Sequence, residues 1–280
     1  MAPGGDGEGL GPDDDARRRR RDLGGQALSE ASPAHPERSP GRPAFYALRS
    51  GGWRDYWTLL HPPYTLWHLS NVALGAAAAP AVDWRPLAAT LLAFFLGVGV
   101  TAHALDEVAG RPLRTRISDR VLWTLAWTGL AGAVALGVLG AARVSWWLLA
   151  FVAFGGFIVV AYNLELFGGR LHSSVWFALA WGGFPALTAY FAQAATVRLE
   201  GILVAAGCAA LAAAQRRLST PVRTLRRRAR SVEGSVTLSD GRRIPLDEET
   251  LRRIPEGALR MLSAAVALLA GGLVAARLLA

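Results

Sequence analysis

Lysine is absent: all 30 basic residues are arginine. With abundant alanine, glycine and proline, that bias reflects a GC-rich coding sequence rather than a chemistry. Cysteine is nearly absent too. Cys208 stands alone in an apolar run, which excludes an intrachain disulfide and makes it a small packing residue. No Walker loop, nucleophile motif or zinc pattern occurs, so none of the chemistries those motifs carry is indicated. No helix-turn-helix signature accompanies the arginines, which are spread over loops between apolar segments. Nucleic acid is therefore excluded as a partner.

Apolar sequence is plentiful. The chain of 280 residues is 52% hydrophobic, yet carries a formal charge of +9. Both facts fit one polypeptide if the charge lies in loops and the apolar residues lie in membrane spans. Residues 1–43 are rich in Gly, Pro, Asp and Arg and lack the apolar core of a signal peptide. They read as a disordered cytoplasmic tail. Residues 44–62 mix Phe45, Tyr46, Trp53, Tyr56 and Trp57 with Arg49 and Arg54, a composition that suits the membrane interface. Residues 63–214 hold six apolar stretches: 63–82, 86–105, 121–142, 145–163, 173–195 and the short 199–214. A basic loop follows at 215–257, and a seventh stretch at 258–280. A span needs about 20 residues. The expected fold is an all-α integral membrane bundle of about seven transmembrane helices, with glycines such as Gly97, Gly129, Gly156 and Gly182 allowing close helix approach.

Arginine placement predicts the orientation. The segment after the second stretch carries Arg111, Arg114, Arg116 and Arg120, and the loop after the sixth carries eleven arginines from Arg216 to Arg253. The other side has little beyond Arg85, Arg143 and Arg198. Positive residues stay cytoplasmic, so the chain is expected as a multi-pass cell-membrane protein with its N-terminus inside and its C-terminus outside. Within the last basic loop, Val236/Leu238 and Ile244/Leu246 alternate with polar neighbours around Asp240-Gly241. That pattern predicts a small cytoplasmic β-hairpin insertion.

Chemistry-bearing residues gather where the second stretch ends. Asp106 and Glu107 are carboxylates at the mouth of an apolar bundle, where they suit Mg²⁺, a hard ion that bridges protein to phosphate. Arg111 and Arg114 lie close enough in sequence to clamp phosphate oxygens. The competing reading is two interfacial acids pairing with local arginines. His103 shares a helical face with Asp106 and either ligates metal or hydrogen-bonds within the bundle. A second patch follows the fourth stretch: Tyr162, Asn163, Glu165, Arg170 and His172. It ends on the same face as the first. His68 and Asn71 are polar groups in apolar company and either line a cavity or bond between helices.

At these positions the sequence resembles the UbiA superfamily of intramembrane prenyltransferases. Ala102-His103-Ala104-Leu105-Asp106 stands where that family has Asn-Asp-x-x-Asp, with Gly110-Arg111-Pro112-Leu113 behind it. Asp106 matches the second aspartate. Tyr162-Asn163 is similar to a Tyr-Ser pair after span four, and Trp181-Gly182-Gly183-Phe184-Pro185 resembles the Gly-rich fifth span. Where the second aspartate motif belongs, after span six, this chain has Ser219-Thr220-Pro221-Val222-Arg223. The resemblance implies a UbiA-like fold and transfer of an isoprenoid group from a prenyl diphosphate to an acceptor at the cytoplasmic face. It implies Mg²⁺ on Asp106 and Glu107, phosphate on Arg111, and Asn71 and Tyr162 along the cavity. Arg223 and its neighbours would supply positive charge in place of the missing carboxylates. Two alternatives remain: a non-catalytic UbiA-like lipid-binding or assembly protein, and a metal-binding membrane protein centred on His103 and Asp106.

Overall fold

The computed structural model describes residues 43–279. The tail expected at the N-terminus lies, apart from Pro43, outside the described residues. The described chain is mostly helical, with a single two-stranded sheet.

A short helix α1 (Trp53–Leu59) leads into α2 (Pro62–Ala77). His61 breaks the two apart with φ 46°, and Pro62 and Pro63 open α2 at positions whose N–H groups need no intrahelical partner. Asp83 caps α3 (Trp84–Gly110) by accepting from the Arg85 N–H at 2.8 Å. A π-helical stretch, Phe95–Ala102, interrupts α3. The helix stops where Arg111 turns left-handed, with φ 49°. Then come α4 (Asp119–Arg143) and α5 (Leu148–Asn163). Next are α6 (Ser174–Ala194), with a second π stretch at Leu179–Gly183, and α7 (Leu199–Arg228). Strands β1 (Ser235–Thr237) and β2 (Arg243–Pro245) pair antiparallel with Val236 opposite Ile244. Helix α8 (Glu248–Leu279) ends the fold, capped by Asp247, which accepts from Thr250 N–H at 2.7 Å.

All seven expected stretches are helical, but they do not make seven spans by length. Five helices are long and apolar enough to cross a membrane: α3, α4, α6, α7 and α8. α2 and α5 have 16 residues each, about 24 Å of helix against a hydrocarbon core of about 30 Å. α2 stops early because Pro80 follows it, and α5 starts late because Ser145–Trp147 form a turn. Two other boundaries move. The sixth stretch, expected to be short, continues as helix to Arg228, so the first part of the basic loop is helical. The last helix begins at Glu248, ten residues before the expected position 258.

The helices alternate in direction, which gives the bundle two ends. At one end, Arg277 of α8 donates to the carbonyls of Ala79 and Pro80 beyond α2. There too, Gln193 of α6 and the Asp83 backbone exchange bonds of 2.9 and 3.0 Å. The other end collects the start of α2, the end of α3, the end of α5, the start of α6, the end of α7 and the start of α8. Those segments enclose the candidate site. Apolar contact holds the wall between the two ends: α2 packs on α6 and α8, and α7 packs on α6.

Candidate functional site

A cavity of about 560 Å³ opens at the arginine-rich end. Its walls come from sequence positions far apart: His61, Tyr64 and His68 of the α2 region, His103 and Asp106 of α3, Tyr162 at the end of α5, Trp181 of α6, and Arg216, Arg223 and Arg227 of α7. Phe45 and Tyr46, from the segment ahead of α1, close part of it.

Helical spacing explains the arginines. Positions 216, 223 and 227 repeat at intervals of seven and four, which puts three guanidinium groups on one face of α7. Arg216 donates to the Tyr162 hydroxyl at 2.7 Å and to Ser174 Oγ at 3.2 Å, and lies 4.9 Å over the Phe177 ring. Arg227 donates to the Pro43 carbonyl at 3.3 Å, tying the entrance segment to α7. Arg223 donates to Thr220 Oγ1 at 3.3 Å. None of the three has a carboxylate partner within salt-bridge distance among the described residues. Arg226, on the flank of the same helix, differs: it pairs with Glu256 of α8 at 2.5 Å, where Arg252 also reaches Glu256 at 3.1 Å. One arginine of the cluster thus joins two helices, while its neighbours face the cavity.

Asp106 is the acidic counterpart. It faces the cavity, feels the fields of Arg227 and Arg223, and makes no hydrogen bond or ion pair among the described residues. Glu107, the next residue, points the other way. Its side chain is buried and accepts from Leu113 N–H at 3.0 Å, Thr115 N–H at 2.8 Å and Thr115 Oγ1 at 2.8 Å. One residue along a helix turns a side chain by about 100°, and that separates the two expected partners.

Other expected residues divide in the same way. His103, Tyr162, Asn163 and Arg223 line the cavity with Asp106. Arg111 does not: it donates to the Thr115 and Ile117 carbonyls at 3.3 and 2.5 Å and pairs with Asp119, clasping its own loop. Arg114 and Arg170 lie outside the cavity walls. Asn71 is fully buried and donates to the Trp181 carbonyl at 3.3 Å, joining α2 to α6. Of its two open readings, the interhelical bond is the one observed. Asn163 lines the wall but bonds back to Val159 O at 2.7 Å within its own helix.

Sequence reasoning left Arg216, Tyr46 and Tyr64 out of the site, and included Arg227 only among the neighbours of Arg223 that would supply charge. The seven-and-four spacing of the arginines was a usable signal. Nothing in the sequence signalled that the segment at Tyr46 returns over the cavity. Tyr46 Oη lies 2.5 Å from His61 Nδ1, and burial, with the nearby Tyr64, pushes its phenol well above the ordinary tyrosine range.

A second, apolar chamber of about 130 Å³ runs between α3, α4, α5 and α6, with walls that include Val98, Leu130, Ile158, Trp181 and Phe184. Val98 and Trp181 line both spaces. The polar cavity therefore adjoins an apolar one across a shared wall. Compared with protein-family models, with curated proteins and with solved structures, the chain matches none of them.

Proposed function

We propose that this protein is a divergent UbiA-like prenyltransferase whose polar cavity receives the diphosphate of a prenyl diphosphate and whose adjoining chamber receives its chain. The observation that carries the reading is that these two spaces lie side by side, sharing the wall at Val98 and Trp181. A ligand with an anionic head and a hydrocarbon tail matches both at once. Ionisable groups inside a membrane bundle are costly and are kept where they do something. Arg216, Arg223 and Arg227 hold the head. When the C1–O bond breaks, its electron pair goes to the diphosphate, and those fixed cations stabilise the charge that develops there. The apolar walls keep water from the carbocation. In this reading the arginine-rich end is cytoplasmic, the N-terminus is inside, the C-terminus outside, and α2 and α5 sit in the membrane as shortened members of the bundle.

The implied Mg²⁺ does not fit as an ion held by protein alone. Asp106 is unpaired in the cavity, Glu107 is engaged in the Leu113–Thr115 loop, and no group of three or more His, Cys, Asp or Glu among the described residues is placed to hold a metal. Neutralisation of the leaving group is assigned to the arginines instead. Asp106 and Glu165 both line the cavity, Glu165 beside His172 at 3.7 Å. So sparse an acidic set favours a second reading, a non-catalytic protein that binds an anionic lipid in the same cavity.

The test is binding of farnesyl and geranylgeranyl diphosphate to the detergent-purified protein, with and without Mg²⁺, followed by a transfer assay. Arg223→Ala combined with Arg227→Ala should weaken binding by about tenfold or more, since each charge-assisted bond is worth about 1.5–3 kcal/mol. Unchanged affinity removes the reading. Retained binding with no turnover toward any acceptor selects the lipid-binding protein.

A further inference from the structure

The cavity has a second pole, made of imidazoles, whose hydrogen-bonding polarity can be read atom by atom. The Nδ1 atoms of His68, His103 and His172 lie 2.8, 3.1 and 3.2 Å from the backbone carbonyls of Trp181, Gly99 and Tyr162. A carbonyl only accepts, so in each neutral ring Nδ1 carries the proton and Nε2 presents a lone pair. Two of those carbonyls, Gly99 and Trp181, belong to the π-helical stretches of α3 and α6. A π turn loosens the regular helical ladder and leaves a carbonyl available to a side chain.

His61 is wired in the opposite sense. Its Nδ1 faces the Tyr46 hydroxyl, which has no other acceptor among the described residues. Burial holds the phenol in its protonated form. The hydroxyl therefore donates, Nδ1 accepts, and the ring proton sits on Nε2. That Nε2 is buried and has no partner, although His61 itself lines the cavity and is only 9% exposed. A buried N–H without a partner is a position waiting for an acceptor atom. The His61 and His103 rings stack with centroids 4.2 Å apart and planes 22° apart. A ring with a lone N–H thus stacks on a ring with a free lone pair.

We propose that this imidazole pair is a hydroxyl-binding site, in which one neutral hydroxyl accepts from His61 Nε2–H and donates to His103 Nε2. The chemistry selects the group. An ether or ketone accepts but cannot donate, an ammonium donates but cannot accept, and a carboxylate would meet the His103 lone pair with its own. Tyr64, Val98, Ala102 and Trp181, in the walls of the same cavity, fit an apolar body behind the hydroxyl. The site deepens the transferase reading by naming the acceptor's reacting group, and it rests on that reading for the transfer step. In that step the hydroxyl oxygen forms the new bond to C1 as the C1–O bond to diphosphate breaks. The hydroxyl proton passes to His103 Nε2. Tyr46 is a positioning residue that sets the tautomer of His61.

The experiment is long-range ¹H–¹⁵N correlation spectroscopy of the full chain labelled at histidine, in detergent micelles, with 4-hexylphenol and its methyl ether as probes. His61 is expected as the Nε2–H tautomer, and His68, His103 and His172 as Nδ1–H. The phenol should shift the Nε2 signals of His61 and His103 saturably, and the ether should bind about tenfold more weakly and leave His103 unmoved. Tyr46→Phe, which preserves ring packing, should mix the His61 tautomers and weaken the phenol. Equal responses to phenol and ether, the opposite His61 tautomer, or shifts that report an ordered water only would each overturn the site. A phenol response in a parent protein that binds neither prenyl diphosphate removes the transferase reading and leaves the site. Diphosphate binding without a phenol response removes the site alone.

Discussion

Helices α2, α6 and α7 are packed in two different ways along their own length. Through the body of the bundle they touch backbone to backbone. A Cβ placed on Gly75 of α2 would come within 2.0 Å of the Ala186 carbonyl oxygen of α6, and one on Gly182 within 2.4 Å of the Cys208 carbonyl oxygen of α7. At the arginine-rich end the same helices are held apart by Tyr64, His68, Trp181, Gln215 and Arg216, and the cavity lies between them. Small residues make affinity between helices in a membrane, because lipid and side-chain methylene are equally apolar and only close contact is gained. Large polar residues do the reverse: they keep an interface open until something else satisfies them. One helix set thus provides both a closed hinge-like seam and an open chamber, and residue size decides which occurs where.

Breaking the closed half should have the largest effect. Gly75→Ala forces α2 away from α6 and should cost about 3 kcal/mol, read as loss of the monodisperse peak in size-exclusion chromatography and a lower Tm. Gly156→Ala is the control. Nothing lies within 4 Å of its added Cβ, so the Tm should hold or rise slightly. Next comes the rim, where Glu256 ties α7 to α8. With Arg226 and Glu256 side chains only 12% and 6% exposed, Glu256→Gln removes the buried negative charge that Arg226 and Arg252 share and should cost about 2–3 kcal/mol in thermal melts.

Within the open half the sign changes. Asp106 has no partner to lose, so Asp106→Asn should leave the Tm within about 0.5 kcal/mol of the parent. It should also tighten geranylgeranyl diphosphate severalfold by removing a negative charge that faces the arginines. Weaker binding would show that Asp106 bridges to the ligand through a cation. The smallest effect belongs to the hairpin, where Val236 and Ile244 are both exposed. The Arg242 backbone N–H and then its side chain hold the Asp240 carboxyl below the usual range. A depressed carboxylate stabilises above its unfolded pKa and loses that contribution as pH falls through the folded one. Acidification to about pH 3, or Asp240→Ala, should therefore fray the β1–β2 signals in NMR spectra without moving the Tm of the bundle.

Much of this architecture was legible beforehand, for reasons that also mark the limits. Apolar stretches located every helix of the bundle, because burial in lipid or protein demands continuous hydrophobicity. Asp240-Gly241 located the hairpin, because few residues accept the φ of 83° that Gly241 adopts. Span length was misjudged at α2 and α5, where composition says nothing about a neighbouring turn. The site was half legible. Asp106, His103, Tyr162 and Arg223 meet over one cavity, but Glu107, Arg111 and Asn71 are engaged elsewhere. Adjacent residues of equal charge look the same in sequence and differ only in the direction a helix turn gives them. The tyrosine that sets the His61 tautomer lies 15 positions away across an irregular segment, a distance no periodicity spans.

The π stretches of α3 and α6 have a consequence for how such a protein can change. Each is a place where the helix carries surplus chain, so a one-residue deletion there can be absorbed by closing the π turn to ordinary helix, whereas the same deletion in an unbroken α-helix swings every later side chain round by about 100°. A single codon lost between Phe95 and Ala102 would leave His103 and Asp106 together on the chamber face, with the fold intact. The chamber's chemistry is therefore buffered against a change of length that a regular helix would pass on to every later residue.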